Sequence, residues 1–149
     1  MQSRTAPDRL RGLPSWLLSQ NSLVARNLVT ERLATLAEHR YHFSMLAALE
    51  EFGALSQADL GRRCGLDRSD VAAAVADLEA RKLLERHPDP RDRRRNTVQI
   101  TEPGRLHLAE LDQLIASAQE ELLAPLTPVE RQLLIQLLTR LSDHHAGEA

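Results

Sequence analysis

Four arginines, Arg91, Arg93, Arg94 and Arg95, fall within five residues of the segment "PDPRDRRRN". Guanidinium groups at that density suit phosphate oxygens and the electronegative minor groove of a duplex. Upstream, Arg68 and Ser69 open a stretch in which Ala72, Ala73 and Ala76 share a side at helical spacing. In a major groove, such a face offers an arginine to guanine or phosphate and small methyls to thymine. Ser56 and Gln57 stand at the start of another helical stretch, where free N–H groups suit phosphate. The expected contacts with double-stranded DNA are therefore Ser56, Gln57, Arg68, Ser69, Ala72, Ala73, Arg91, Arg93 and Arg95. Taken alone, a basic run is a solvated face and an alanine-rich helix packs on a neighbour. Their joint occurrence in one stretch favours nucleic acid.

Other chemistry is thinner. The "HRYH" run, His39 to His42, could meet a small aromatic anion through Arg40 or His42, with Tyr41 or Trp16 stacking. The competing reading makes Trp16 and Tyr41 ordinary packing residues. Cys64 lies four residues after Leu60 and reads as a small core residue rather than a reactive thiol. His39 and His42 lack evident partners for a metal, so neither a metal nor a cofactor is expected. No phosphate-binding glycine loop, GxSxG or HExxH is present, and an enzyme is not expected.

These residues need elements to hold them. Pro14-Ser15 opens a long helix to about Ala37, and a second runs from about His42 to Phe52, stopped by Gly53. Ser56 caps a short third helix closed by Gly65. Asp67 caps a fourth, to about Lys82, that buries Val71, Val75 and Leu78. The period then changes to two strands, "LLERH" and "TVQI", flanking the arginine-rich loop. After Pro103-Gly104 a fifth helix runs to about Ala124. Thr127, Pro128 and Glu130 start the last, which exposes Leu133, Leu134, Leu137, Leu138 and Leu141. The fold class is mainly α with a small β-hairpin: a winged helix-turn-helix between long N- and C-terminal dimerisation helices.

The stretch from "LSQADLGRRCGLDRSDV" through "DLEARKLLER" to "DPRDRRRNTVQIT" and Gly104 resembles the multiple antibiotic resistance regulator (MarR) family. The resemblance covers the central third closely and the flanking helices by length and order. It implies a homodimeric transcription regulator, a repressor, that responds to small aromatic anions held between the dimer helices and the DNA-binding lobe. It also implies that Arg94 pairs with Asp77, locking the wing to the recognition helix rather than touching DNA. Two positions depart from the pattern: Lys82 replaces a usual glycine at the helix exit, and Pro103 a usual helix former.

Charge distribution agrees with one DNA-facing surface. The 149-residue chain carries a net −2. Residues 61–95 hold ten basic and seven acidic side chains, net +3, which leaves −5 elsewhere. Low aromatic content, 3%, puts the core on aliphatic side chains. Residues 1–13 are expected as a flexible arm, 14–40 and 102–146 as the dimerisation region, and 41–101 as the DNA-binding lobe. No leader or membrane span is legible, so the cytoplasm is the expected location. The rival function is a helical homodimer acting by protein contact, with the winged head kept as scaffold.

Overall fold

The computed structural model describes residues 5–147. Helix α1 (Asp8–Arg11) is a single turn, closed by an Arg11–Asp8 contact of 3.3 Å. Within the expected arm, residues 8–11 are helical, and residues 1–4 lie outside the described residues. The long helix α2 (Pro14–Ala34) begins on its proline and ends in a left-handed turn. Ala37 takes φ 55° there, so that the Glu38 N–H bonds back to the Leu33 carbonyl at 3.0 Å. Helix α3 (Arg40–Phe52) follows and buries Met45, Leu46, Ala48 and Leu49.

A two-residue strand β1 (Leu55–Ser56) precedes α4 (Gln57–Cys64). Its pattern is too short for any sequence period to reveal. The Ser56 hydroxyl accepts from the Asp59 N–H at 3.1 Å, and left-handed Gly65 closes α4. Asp67 caps α5 (Arg68–Ala80) by accepting from Asp70 N–H at 2.8 Å. That bond and the Ser69 hydroxyl hold the Asp67 carboxyl below the usual carboxylate range. As expected, Val71, Val75 and Leu78 face inward, and Ala74 joins them.

Lys82 stands at the exit from α5. It adopts φ 62°, the left-handed conformation for which glycine is favoured. The Lys82 and Leu83 N–H groups bond to the Glu79 and Leu78 carbonyls, both at 2.9 Å, which completes a Schellman turn. Strands β2 (Leu84–Pro88) and β3 (Asn96–Ile100) pair antiparallel, Leu84 opposite Ile100 and Pro88 opposite Asn96. β1 adds to the other edge of β3, giving the order β1-β3-β2.

Helix α6 (Glu102–Leu122) is capped by Thr101 and carries Pro103 in its first turn. Helix α7 (Pro128–Ala146) starts with the expected Thr127–Glu130 capping box. α6 lies along α2, where Arg32 bonds to Ser117 and Glu121. The core is continuous: Leu33 of α2 and Leu108 and Leu111 of α6 pack with Leu46, Leu60, Val75, Leu78, Leu84 and Val98. Fully burying each such side chain contributes about 1.5–3 kcal/mol. Helix α7, by contrast, buries no side chain, and Leu133, Ile135, Leu137, Leu138 and Leu141 are exposed.

Candidate nucleic-acid interface

The sheet register creates the site. Pairing of Ser56 with Thr97 sets the start of α4 beside the base of the wing, two residues from Arg95. The capped start of α5 closes the third side. The result is an open groove of about 730 Å³. Ser56, Gln57, Arg68, Ala72 and Arg95 line it, together with Asp59, Arg62 and Asn96.

Those five expected contact residues are therefore brought to one surface. Ser69 and Ala73 are exposed on α5 but do not line the groove. The Ser69 hydroxyl donates to the Asp67 carboxylate at 2.9 Å, so its first role is in the cap. Arg91 and Arg93 lie further out on the wing and are exposed. Among the described residues, Arg68, Arg91, Arg93 and Arg94 have no ion-pair partner, which leaves their charge for an external anion. Arg95 approaches Asp92 at 3.9 Å, and Arg62 pairs with Asp59.

Two aspartates missed in the sequence shape the wing. Asp89 accepts from the Arg91 N–H at 2.9 Å, and Asp92 from the Arg94 N–H at 3.0 Å. Each is an Asx-turn, a short carboxylate bonded to backbone two residues on. The spacing "DPRDRR" carries that signal, each aspartate standing two residues before an arginine. Backbone bonds from Asp89 N–H to Arg95 O, 2.8 Å, and from Arg95 N–H to Asp92 O, 3.0 Å, close the loop.

The expected Arg94–Asp77 pair does not form. Asp77 is taken by Arg81, one turn further along α5, at 3.2 Å, and lies 3.5 Å from His42. Arg94 sits at the wing tip, and its recorded hydrogen bond uses the backbone N–H. The wing is tied to α5 instead by Arg86 of β2, whose guanidinium meets both Glu79 carboxylate oxygens at 3.1 Å. This bidentate pair joins the strand base to the end of the helix, a shorter reach than from the tip.

The expected ligand residues divide. Arg40 and Tyr41 line a second, smaller cavity of about 200 Å³ with Arg26, Thr30, Glu38 and His39. The Arg40 guanidinium lies 5.3 Å from the Tyr41 ring centroid. His42 is turned away, toward Glu38 and Asp77. Trp16 stands ten residues before Arg26 on α2, about 15 Å along the helix axis. Within one protomer it does not line this cavity. Cys64 is half-buried against the core, and burial pushes its thiol pKa up. Among the described residues, no three His, Cys, Asp or Glu side chains are arranged to hold a metal ion. Nor, among the described residues, is any helix long and apolar enough to cross a membrane.

Comparison with known proteins places this architecture. A family model described as "MarR family" matches residues 35–95. The chain is 37% identical over 110 residues to the HTH-type transcriptional repressor NicR of Pseudomonas putida, covering 70% of this chain and 68% of that one. It is also similar to the structure of BpsR from Bordetella bronchiseptica, whose DNA binding is regulated by 6-hydroxynicotinic acid. That match has a TM-score of 0.79 and 27% identity over 93% of this chain and 99% of that one. The repressor CouR bound to a 23-mer DNA duplex superposes with a TM-score of 0.81 and 25% identity, over 91% and 96% of the two chains. With a winged reading head, a groove between α4, α5 and the wing, and relatives of this closeness, the chain belongs to the MarR family of transcriptional regulators.

Proposed function

We propose that this DNA-binding regulator is a homodimeric repressor that reads a palindromic operator and is released by a small aromatic anion. The observation that carries the DNA reading is the convergence of Ser56, Gln57, Arg68, Ala72 and Arg95 on one groove, beside wing arginines with free charge. Helix α5 presents Arg68 and its alanine face to a major groove, and the wing lays Arg91 and Arg93 on flanking phosphates or the minor groove. The reading is of a regulator and not an enzyme.

The dimer reading rests on α7. A 19-residue helix with a leucine face and no buried side chain needs an apolar partner, and a second copy supplies one. Two heads related by a two-fold axis favour half-sites about one helical turn apart. The ligand reading rests on the cavity beside Arg26, Arg40 and Tyr41, at the turn joining α2 to the reading head. Arginine there suits a carboxylate and Tyr41 an aromatic ring. The regulation of BpsR by 6-hydroxynicotinic acid is a precedent for that chemistry in a relative.

The deciding experiment is a mobility shift on duplexes flanking the protein's own gene, repeated across salt concentrations. A sequence-specific, salt-sensitive shift is expected, and its absence removes the proposal. Arg93→Ala is expected to weaken binding and to reduce the salt slope by about 1 per protomer. An unchanged slope assigns Arg93 no phosphate contact.

A further inference from the structure

A cluster of ionisable side chains lies between the long helices and the reading head, and DNA contact makes no use of it. Glu38, in the turn after α2, has a fully buried side chain. Its carboxylate is met by Arg81 from the end of α5, by His107 Nε2 of α6 at 2.8 Å and by His42 Nδ1 of α3 at 2.7 Å. On the far side of the His42 ring, Nε2 lies 3.5 Å from Asp77 of α5, which also pairs with Arg81. The remaining neighbours with charge or a proton to exchange are Arg26, Arg40 and Tyr41, which share the small cavity with Glu38, His39 at the start of α3, and Glu110, 3.9 Å from His107 Nδ1.

His42 Nδ1 stands under two opposed demands. The His39 backbone N–H donates to it at 3.2 Å, which needs a lone pair. The Glu38 carboxylate lies closer, at 2.7 Å, and is stable there only if Nδ1 donates a proton. One nitrogen cannot serve both. A neutral ring protonated on Nδ1 reaches Glu38 but turns the Nε2 lone pair to Asp77. A neutral ring protonated on Nε2 reaches Asp77 and caps α3, but sets its Nδ1 lone pair against Glu38. The imidazolium alone donates to Glu38 and also sets its positive charge 3.5 Å from Asp77.

We infer that His42 is a proton-dependent positioning residue, whose imidazolium bridges Glu38 and Asp77 and so holds the recognition helix against the long helix α2. Glu38 moves with α2 and Asp77 with α5, so the bridge joins the element that spaces the two heads to the element that reads DNA. Loss of the proton leaves the ring one link and one repulsive contact, beside Arg81, which pairs with both carboxylates. Its consequence for DNA affinity rests on the regulator reading above, whereas the bridge itself belongs to the free protein.

Two measurements on the full chain test this. Imidazole ¹⁵N spectra of the free protein between pH 5.5 and 8.5 report both nitrogens of His42, assigned with His42→Gln. Both are expected to carry protons at the acid end and one to lose its proton toward the alkaline end. A ring that keeps one state throughout overturns the proposal. In parallel, affinity is measured at constant ionic strength for a duplex selected from a random pool. The wild type is expected to lose on the order of fivefold in affinity from pH 6 to 8. His42→Gln and Asp77→Asn should each remove that loss, while His87→Gln on the wing should retain it. Asp77 is half-exposed, so its variant keeps the test decisive if His42→Gln misfolds. Variants that retain the wild-type pH dependence overturn the proposal. If no duplex binds but the ring titrates and Asp77→Asn alters the pH dependence of melting, the regulator reading falls and the bridge stands.

Discussion

Glu38 resembles any surface glutamate in the sequence, yet its side chain is fully buried. Burial pushes its carboxyl up. Hydrogen bonds from Arg81 and His107 and the charges of Arg81 and His42 outweigh that, and hold it below the usual value. A depressed folded pKa gives stability that is present above the unfolded value, about 4.3, and lost as pH falls through the folded one. Thermal melts below pH 4.5 should therefore be steeper in pH for the wild type than for Glu38→Gln. Removing the carboxylate as Glu38→Ala should cost about 3 kcal/mol at neutral pH, the low end for a broken buried pair because Arg81 keeps some water. Lys82 makes the opposite case. Its left-handed backbone costs a non-glycine residue about 1–2 kcal/mol, partly offset by the entropy a glycine would lose. Lys82→Gly should raise stability by about 0.5–1 kcal/mol in a denaturant titration, without changing the groove.

Elements are held together at two junctions. The first is Gly104, in the opening turn of α6, where the helix crosses the end of α5. A Cβ there would overlap the Leu83 carbonyl oxygen and lie 2.7 Å from Ile100 Cγ1. Leu83 is backbone-bonded to Thr101, and Thr101 also donates its hydroxyl to Lys82 O at 2.7 Å, so neither partner can withdraw. Gly104→Ala should destabilise by about 1–3 kcal/mol, measured by chemical unfolding. The second is the wing. Its base is fixed by Arg86–Glu79 and by strand pairing, and its tip by the Asx-turns of Asp89 and Asp92. The arginines are thus carried on a shaped loop whose own carboxylates bind backbone and leave Arg91, Arg93 and Arg94 uncompensated.

For the molecule as a whole, the monomer leaves work undone. Besides the face of α7, Leu17, Leu18, Leu23 and Val24 of α2 are exposed, as is Leu106 of α6. Exposed apolar surface of this kind suits burial against a partner. If α7 seals a two-fold dimer, Leu137→Asp should shift the sedimenting species to a monomer and abolish binding to a two-site duplex. A variant that still sediments as a dimer removes α7 from that interface. Such a dimer would also set the distance between reading heads, and the Glu38 cluster lies where that distance meets the orientation of α5.

The sequence by itself determined the local order. Helix starts at Ser56, Asp67 and Thr127, the inward stripe of Val71, Val75 and Leu78, and the change to strand period all follow from neighbours a few residues apart. The grouping of Ser56, Gln57, Arg68, Ala72 and Arg95 was legible as a set because one compact motif contains them. What tertiary structure decided was pairing. Asp77 had several arginines within reach of the motif, and packing of α3 and α6 against the end of α5 gave it Arg81 and His42 in place of Arg94. Glu38, Arg81 and His107 are 43 and 69 residues apart as measured from Glu38, and no period links them. β1 is two residues long and exists only because β3 presents an edge beside it. Periodicity and capping act over one or two helical turns, whereas charge partners are chosen by which elements pack together. The reading head was therefore visible in the chain, and the tie that orients it was not.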